Sequence, residues 1–167
     1  RAAAAAGVRL HEDTRVTAVR QDDRGVTLAT PAGEVRAAQA LLAGNVYLQD
    51  VAPALESRIM PVGTYIVCSE PVAPALADAL IPTRSAVCDT DFVLDYYRTT
   101  DDHRMLFGGR VSYSTKTPAN LRTSMRQRMV DTLPQLASAK IEFAWGGFVD
   151  ITMNRAPHFG RIGSNVY

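Results

Sequence analysis

The first part of the chain alternates apolar and polar residues, a spacing that is typical of β-strands. A run of five alanines precedes it and favours a helix, which we expect to end at Gly7. Clusters of Asp, Gly and Pro interrupt the alternation and predict tight turns. The pattern therefore predicts a small antiparallel meander with one polar face. The expected strands are residues 8–10, 14–19, 25–30 and 34–36, with turns at 22–25 and 31–33.

Residues 39–43 break this pattern, because every residue from Ala40 to Ala43 is apolar and the run ends at Gly44. Such a run predicts a strand that is buried on both faces, as in a parallel sheet. Further along, three runs are rich in β-branched and aromatic residues and predict a second, larger, mostly antiparallel sheet. The last two should form a hairpin across a turn at 101–102. The three runs are residues 61–70, 92–99 and 104–110.

Two helices are predicted beside this sheet. The first helix is predicted at residues 73–80, and prolines lie near both of its ends. The second should begin at Thr117 and Pro118, which suit the first positions of a helix, and should end before Pro134. Apolar residues recur on one face of this helix at every fourth position, which indicates a core-facing stripe. These residues are Leu121, Met125, Met129 and Leu133.

The last apolar run, at residues 140–152, predicts a long strand. Gly146 and Gly147 lie inside it, and paired glycines in a strand indicate a bulge or the close approach of another backbone or a ligand. Together the elements predict a mixed fold, α+β or α/β, with a small meander, one buried strand and a large sheet covered by helices.

The composition of the chain excludes some classes of binding partner. The chain has 167 residues, 47% of them hydrophobic, and its net charge of +1 is spread without a basic stripe. This pattern argues against nucleic-acid and anionic-lipid partners, and the apolar runs are shorter than the roughly 20 residues that cross a bilayer. Cys68 and Cys88 have no CxxC spacing and suit a reducing compartment, so we expect a cytoplasmic protein.

No self-contained catalytic set is visible in the residue pattern. The three histidines are isolated from one another and lack the spacing of a metal site, so no metal is expected. Asp89, Asp91 and Asp95 suit a turn and a solvated strand face. The sequence contains neither GxGxxG nor GxxxxGK, the glycine-rich loops that hold a pyrophosphate. Pattern alone therefore assigns no activity.

Three stretches carry a resemblance to a known family, and the last of them is the most specific. In order and spacing they resemble the FAD-dependent oxidoreductases of the D-amino-acid-oxidase family, and the similarity runs over nearly the whole chain. The resemblance implies two intertwined domains, one that binds FAD and one that binds substrate. The stretches are residues 60–65, 106–110 and 145–157.

The same resemblance implies domain boundaries. Residues 1–57 would be a late part of the FAD-binding domain, residues 58–152 the substrate-binding domain, and residues 153–167 the beginning of the return to the FAD domain. The position matching Val16 would hold the adenine edge through its backbone amide and carbonyl. Ala43, Gly44 and Asn45 match a loop that passes close to the flavin; the alternative is an ordinary strand residue for Val16 and an ordinary turn for Gly44. The four expected cofactor-binding residues are Val16, Ala43, Gly44 and Asn45.

Six residues are expected near the flavin or the substrate, whereas no residue is assigned a catalytic role. Asn154 stands where the pattern Thr-x-Asp-x-x-Pro of the family has Asp. Two arginines are candidates to hold a substrate carboxylate, because a planar guanidinium suits that group, with ordinary salt bridging as the alternative. The six are Arg110, Trp145, Gly146, Gly147, Asn154 and Arg155.

For the whole enzyme, the resemblance implies oxidation of a small-molecule amine by hydride transfer to the flavin, with hydrogen peroxide, ammonia and an aldehyde as products. A glycine-oxidase-like or sarcosine-oxidase-like activity and a non-catalytic ligand-binding or interaction module are the alternatives. The dinucleotide fingerprint is expected before Arg1 and a closing glycine-rich segment after Tyr167. We therefore expect this segment alone to bind FAD weakly, to be inactive, and to self-associate through surfaces left uncovered.

Overall fold

Three strands near the N-terminus pair in chain order, β1-β2-β3, and form the predicted antiparallel meander. The computed structural model describes residues 1–48, 50–114 and 116–167. A one-turn helix, α1 (Ala2–Ala5), comes first and is followed by Gly7, whose φ of 87° suits glycine. The strands are β1 (Ala18–Asp22), β2 (Gly25–Thr30) and β3 (Gly33–Ala37).

The first strand begins later than the alternation predicted, and the expected strand segments at 8–10 and 14–17 are wrong. Val8 and Leu10 are exposed. The reason is that β2 ends at Thr30 and the chain turns at once, so β1 has no partner before Ala18 beyond one bond from the Thr17 amide to the Ala29 carbonyl (2.8 Å).

The expected strand at 39–43 is reduced to a single pairing. Ala40 forms an isolated parallel bridge with Val166, and the Tyr167 amide donates to the Ala40 carbonyl (2.8 Å). The parallel direction is as predicted, whereas burial on both faces is wrong, since Leu41 is 76% exposed. Burial of that kind requires neighbours on both edges, and within the described residues this segment pairs along one edge only.

The larger sheet has five strands in the order β5-β6-β7-β4-β8, and every neighbouring pair is antiparallel, as predicted. The predicted strand at 92–99 is shorter than expected because Asp89 closes a loop before it. The Asp89 carboxylate accepts the amides of Asp91 (3.0 Å) and Asp95 (3.1 Å). The strands are β4 (Pro61–Ser69), β5 (Val87–Cys88), β6 (Tyr96–Thr99), β7 (Met105–Ser112) and β8 (Ile141–Asp150).

The predicted helices are present, and the longer one begins later than expected. The carbonyl of Pro118 accepts the Leu121 amide (3.1 Å), so residues 118–121 form a turn and Thr117 is not the N-cap. The predicted core stripe is confirmed, because all four of its residues are buried against the sheet. The helices are α2 (Pro53–Glu56), α3 (Pro74–Leu80) and α4 (Leu121–Thr132), with short 3-10 helices at Asn45–Leu48 and Pro134–Leu136.

By density of contacts the chain forms two units. One comprises residues 1–60 and 152–167, and the other comprises residues 61–151. The second unit holds the main core, in which Met105, Phe107 and Met125 are almost completely buried between the large sheet and α4. Within the part of the chain that is described, no helix has both the length and the apolarity to cross a membrane.

Candidate functional site

The large sheet is covered by α4 on one face, whereas aromatic side chains are exposed on the other. Side chains alternate between the faces along β8. Ala144 packs against the core, but its neighbours Phe143 and Trp145 are 52% and 45% exposed. We call this second surface the open face. Cross-strand pairing places on it Thr64, Ile66, Tyr96, Leu106, Phe143, Trp145 and Gly147.

Tyr96 is a polar group of the open face that the sequence pattern did not reveal. Its ring lies across Gly108, where a Cβ would be 2.1 Å from the ring carbon Cε2. Its hydroxyl is 3.2 Å from the hydroxyl of Thr64. The available signal was the pair of glycines in β7, because a strand glycine permits such a close approach. The phenol of Tyr96 and the alcohol of Thr64 thus lie together on this face.

Trp145, Gly146 and Gly147 are consecutive residues of one strand, so they alternate between the two faces of the sheet. Trp145 faces the open side beside Ile66, whereas Gly146 faces the core, where a Cβ would be 2.6 Å from the Tyr65 ring. A Cβ at Gly147 would meet nothing within 4 Å. The predicted bulge at these glycines is wrong, since both pair in register with β4. A close approach does occur at Gly146, but the nearest group is the Tyr65 side chain and not the predicted backbone or ligand.

Arg110 lies at a bulge of β7 and reaches towards α4. Tyr65 pairs with Gly109 and Thr64 with Val111, so Arg110 is the extra residue, and its φ is 57°. Its guanidinium donates to the Ser124 hydroxyl at 2.6 Å. The structure therefore does not bring Arg110 together with the Trp145 side chain, and its role towards a substrate stays a prediction.

A network of charged side chains lies at one end of the open face. The guanidinium of Arg104 donates to the carboxylates of Asp102 (2.7 Å) and Glu142 and to the Ser69 carbonyl (3.0 Å). It also lies over the Phe143 ring, 5.6 Å from its centre. Hydrogen bonds from Thr100 and Arg104 lower the pKa of Asp102. The network therefore places a cation against the Phe143 ring on this face.

The first unit contains an open cleft of about 600 Å³, within the size range of small-molecule sites. Val16 and Ala43 both line it, so the structure brings together two of the predicted cofactor-binding residues. The described residues include no backbone hydrogen-bond partner for Val16. An apolar cleft with a free amide and carbonyl at its wall can accept a planar heterocycle with a polar edge.

The other two predicted cofactor residues shape the loop after this cleft. A Cβ on Gly44 would lie 2.5 Å from a methyl carbon of Leu48, so the 3-10 helix packs against bare backbone there. Asn45 has a φ of 51°, a conformation that asparagine tolerates better than most residues. The packing of Leu48 therefore explains the glycine at 44, and a role of either residue towards a cofactor stays a prediction.

Asn154 and Arg155 lie in a turn of the first unit. The Asn154 side-chain oxygen accepts the Ala156 amide (3.1 Å), and the Thr152 hydroxyl donates to the Ala156 carbonyl (2.7 Å). Either Asn or Asp can supply that acceptor, so the exchange from the family pattern keeps the turn. Among the described residues, no group of three or more His, Cys, Asp or Glu side chains could hold a metal ion.

Comparison with known proteins defines the class of this protein. The sequence model of the family described as DAO, FAD dependent oxidoreductase, matches residues 1–167. The chain belongs to this family of FAD-dependent oxidoreductases, as the resemblance predicted.

The chain is also similar to particular members. It is 38% identical over 162 residues to gamma-glutamylputrescine oxidoreductase of Escherichia coli, covering 96% of this chain and 38% of that protein. It is 34% identical over 166 residues to the probable oxidoreductase OrdL of Haemophilus influenzae, covering 96% and 37%. The chain thus spans somewhat more than a third of the length of these relatives.

Solved structures show the same fold. Glycine oxidase from Geobacillus kaustophilus matches with a TM-score of 0.75 at 21% identity, covering 98% of this chain and 43% of that one. L-proline dehydrogenase from P. horikoshii matches with a TM-score of 0.74 at 17% identity, covering 96% and 44%. At such identities the likeness concerns the fold alone, and it confirms the predicted mixed fold with a large antiparallel sheet.

Proposed function

We propose that this chain is part of an amine oxidase that acts on gamma-glutamylputrescine or a related amine. The observation that carries the proposal is the 38% identity to gamma-glutamylputrescine oxidoreductase along 96% of the chain. The reaction consumes the amine, oxygen and water and yields an aldehyde, ammonia and hydrogen peroxide. The cytoplasm is the proposed compartment, which the two free cysteines support.

The open face of the large sheet is the proposed substrate wall. When bound, the flavin would supply a hydride acceptor for the carbon that carries the amine, with oxygen as the final oxidant. Ile66, Leu106 and Trp145 would exclude water from this carbon, and desolvation favours the neutral amine from which hydride leaves. The Tyr96 hydroxyl, beside that of Thr64, would bind a polar group of the substrate and orient it.

The cleft of the first unit is the proposed site for the adenine end of FAD. The Val16 amide and carbonyl would bind the adenine edge, and the loop of Ala43, Gly44 and Asn45 would lie near the flavin. The sequence has no glycine-rich loop for the pyrophosphate, so these residues fit one part of the cofactor only. We expect the 167-residue chain alone to bind FAD weakly and to be inactive. A yellow, flavin-loaded sample of the purified chain, with activity, would contradict this.

Arg110 and Arg155 remain candidates for the substrate carboxylate. To bind the substrate carboxylate, the Arg110 guanidinium would have to release the Ser124 hydroxyl. The carboxylate would be the stronger partner, because its hydrogen bonds to arginine are charge-assisted. In the full-length enzyme, Arg110→Gln should then raise KM with little change in kcat for a substrate with a carboxylate. An equal effect on an amine without a carboxylate would argue for a structural role.

The decisive experiment is a hydrogen peroxide assay of the full-length protein against a panel of amines. The proposal expects the highest kcat/KM with gamma-glutamylputrescine, less with putrescine, and little with glycine or sarcosine. A preference for glycine or sarcosine would establish the alternative of a small amino-acid oxidase. No turnover of any amine, with FAD bound, would favour a ligand-binding module.

The chain alone should also self-associate. Met153 and Phe159 are almost fully exposed, and exposed apolar residues favour association. Size-exclusion chromatography with light scattering would measure the mass of the purified chain. A monomer at all accessible concentrations would contradict the expectation.

A further inference from the structure

The side chain of Gln21, in β1, joins the meander to the last turn of the chain. Its amide nitrogen Nε2 donates to the Ile162 carbonyl at 2.9 Å. Its oxygen Oε1 accepts the backbone amides of Ser164 and Asn165, both at 3.1 Å. One carboxamide therefore binds three backbone groups within four consecutive residues of the turn.

The turn is built around this side chain. Gly163 lies at its centre with a φ of 63°, and a Cβ there would be 2.4 Å from Nε2 of Gln21. The Asn165 side chain adds a bond in the other direction, since it donates to the Asp22 carbonyl at 3.0 Å. A side chain at 163 would thus collide with the group that holds the turn.

The turn sets the register of the only parallel pairing among the described residues. The chain leaves the turn at Val166, which pairs with Ala40. The Ala40 amide donates to the Asn165 carbonyl (2.9 Å), so the residue held by Gln21 is also bonded to the segment that runs on to the loop 43–45. A shift of the turn would therefore move Ala40 and the loop that follows it.

We propose that Gln21 is a positioning residue for the cofactor loop Ala43–Asn45, acting through the turn 162–165 and the Ala40–Val166 pairing. The inference rests on the proposed function for the part that concerns FAD. A carboxamide suits the task because it donates and accepts at once. Glutamate lacks the donor, and lysine or arginine lacks the acceptor.

The test uses the full-length protein with Gln21→Ala, Gln21→Glu and, as a matched control, Gln135→Ala, which removes an exposed carboxamide from the other unit. Hydrogen exchange of the Ser164 and Asn165 amides reports on the turn. In Gln21→Ala both amides should exchange about tenfold faster, as expected for the loss of a few hydrogen bonds. Gln21→Glu keeps the acceptor and should have a smaller effect.

FAD affinity, measured by the change in flavin fluorescence on binding, reports on the loop. Gln21→Ala should weaken FAD binding about tenfold, with Gln21→Glu between it and the wild type and Gln135→Ala unchanged. A thermal midpoint measured without FAD that stays within a few degrees of the wild type in every variant would show that the effect is local.

Two results would overturn the inference. Unchanged exchange at Ser164 and Asn165 in Gln21→Ala would show that the side chain does not hold the turn. Faster exchange with unchanged FAD affinity would show that the turn does not position the cofactor loop. A wild-type protein that binds no FAD would instead refute the proposed function, while the exchange data would still decide whether Gln21 holds the turn.

Discussion

At the scale of single residues, glycines decide where two tyrosine rings of the large sheet lie. Tyr96 crosses β7 at Gly108 on the open face, and Tyr65 crosses β8 at Gly146 on the core face. Neither ring could keep its position if the glycine carried a Cβ, since the approaches are 2.1 and 2.6 Å. Both tyrosine rings can therefore lie flat on the sheet only because the residues beneath them are glycines.

Replacing one of these glycines should displace the ring above it. We expect Gly108→Ala to move Tyr96, to break its contact with Thr64, and to cost about 1–3 kcal/mol of unfolding free energy through overpacking. Urea denaturation would measure this. Gly147→Ala is the matched control, because a Cβ there meets nothing within 4 Å and should be neutral or slightly stabilising. Equal losses in both variants would contradict the steric explanation.

The two cysteines should differ in reactivity. Cys88 is exposed, whereas Cys68 is buried and burial raises the pKa of its thiol, which lowers the fraction of reactive thiolate. A disulfide reagent should modify one thiol rapidly in the folded protein and the second only on unfolding. Cys88→Ser should abolish the rapid phase, and a rapid phase that survives this change would show that Cys68 is accessible.

At the scale of elements, the periodicity of the sequence predicted those features that depend on the element itself. The core stripe of α4 was predictable because the four-residue spacing belongs to the helix itself. The length of β1 and the state of residues 39–43 were not, because they depend on where a partner strand turns or ends. The bulges also escaped prediction, since they lie at Arg110 and opposite Ser69, away from the glycine pair.

The hairpin turn between β6 and β7 should weaken in acid. The pKa of Asp102 is lowered from its ordinary value of 3.8, mainly by the Thr100 hydroxyl and then by Arg104. A lowered folded pKa contributes stability above the ordinary value and loses it as the pH falls through the folded pKa. Asp102→Asn should therefore be less stable than wild type at neutral pH, with a difference that shrinks below pH 3.8.

Denaturant midpoints of both proteins between pH 2 and 7 would test this. Asp101→Asn is the control, because Asp101 is exposed and takes part in no ion pair among the described residues. A difference for Asp102→Asn that persists unchanged at the lowest pH would mean that the carboxylate charge does not contribute.

At the scale of the whole molecule, one unit is inserted into the other. The chain enters the unit of the large sheet at Pro61 and leaves it at Ile151. The fold class was predictable from the pattern, and the family followed from a resemblance in residues 60–65, 106–110 and 145–157. The contacts of Tyr96 and Gln21 were not predictable, because the partners of both residues are distant in sequence.

The segment after the second junction should be the first to be cut by a protease. Residues 157–161 make no backbone–backbone hydrogen bond with the described chain, and Phe159 is 90% exposed. Limited chymotrypsin digestion should cleave first after Phe159, as mass spectrometry of the early products would show. Phe159→Ser should slow this cleavage. A first cut within β4 or β7 would contradict the assignment.

Pro61 and Asp150 are direct partners across β4 and β8, so the inserted unit ends beside the place where it starts. Insertions with adjacent ends leave the span of the host chain almost unaltered. A different module with ends equally near could be spliced in at these two positions. Gene exchange at the junctions is therefore a simple route by which evolution, or an engineer, could join a different inserted unit to the same host unit.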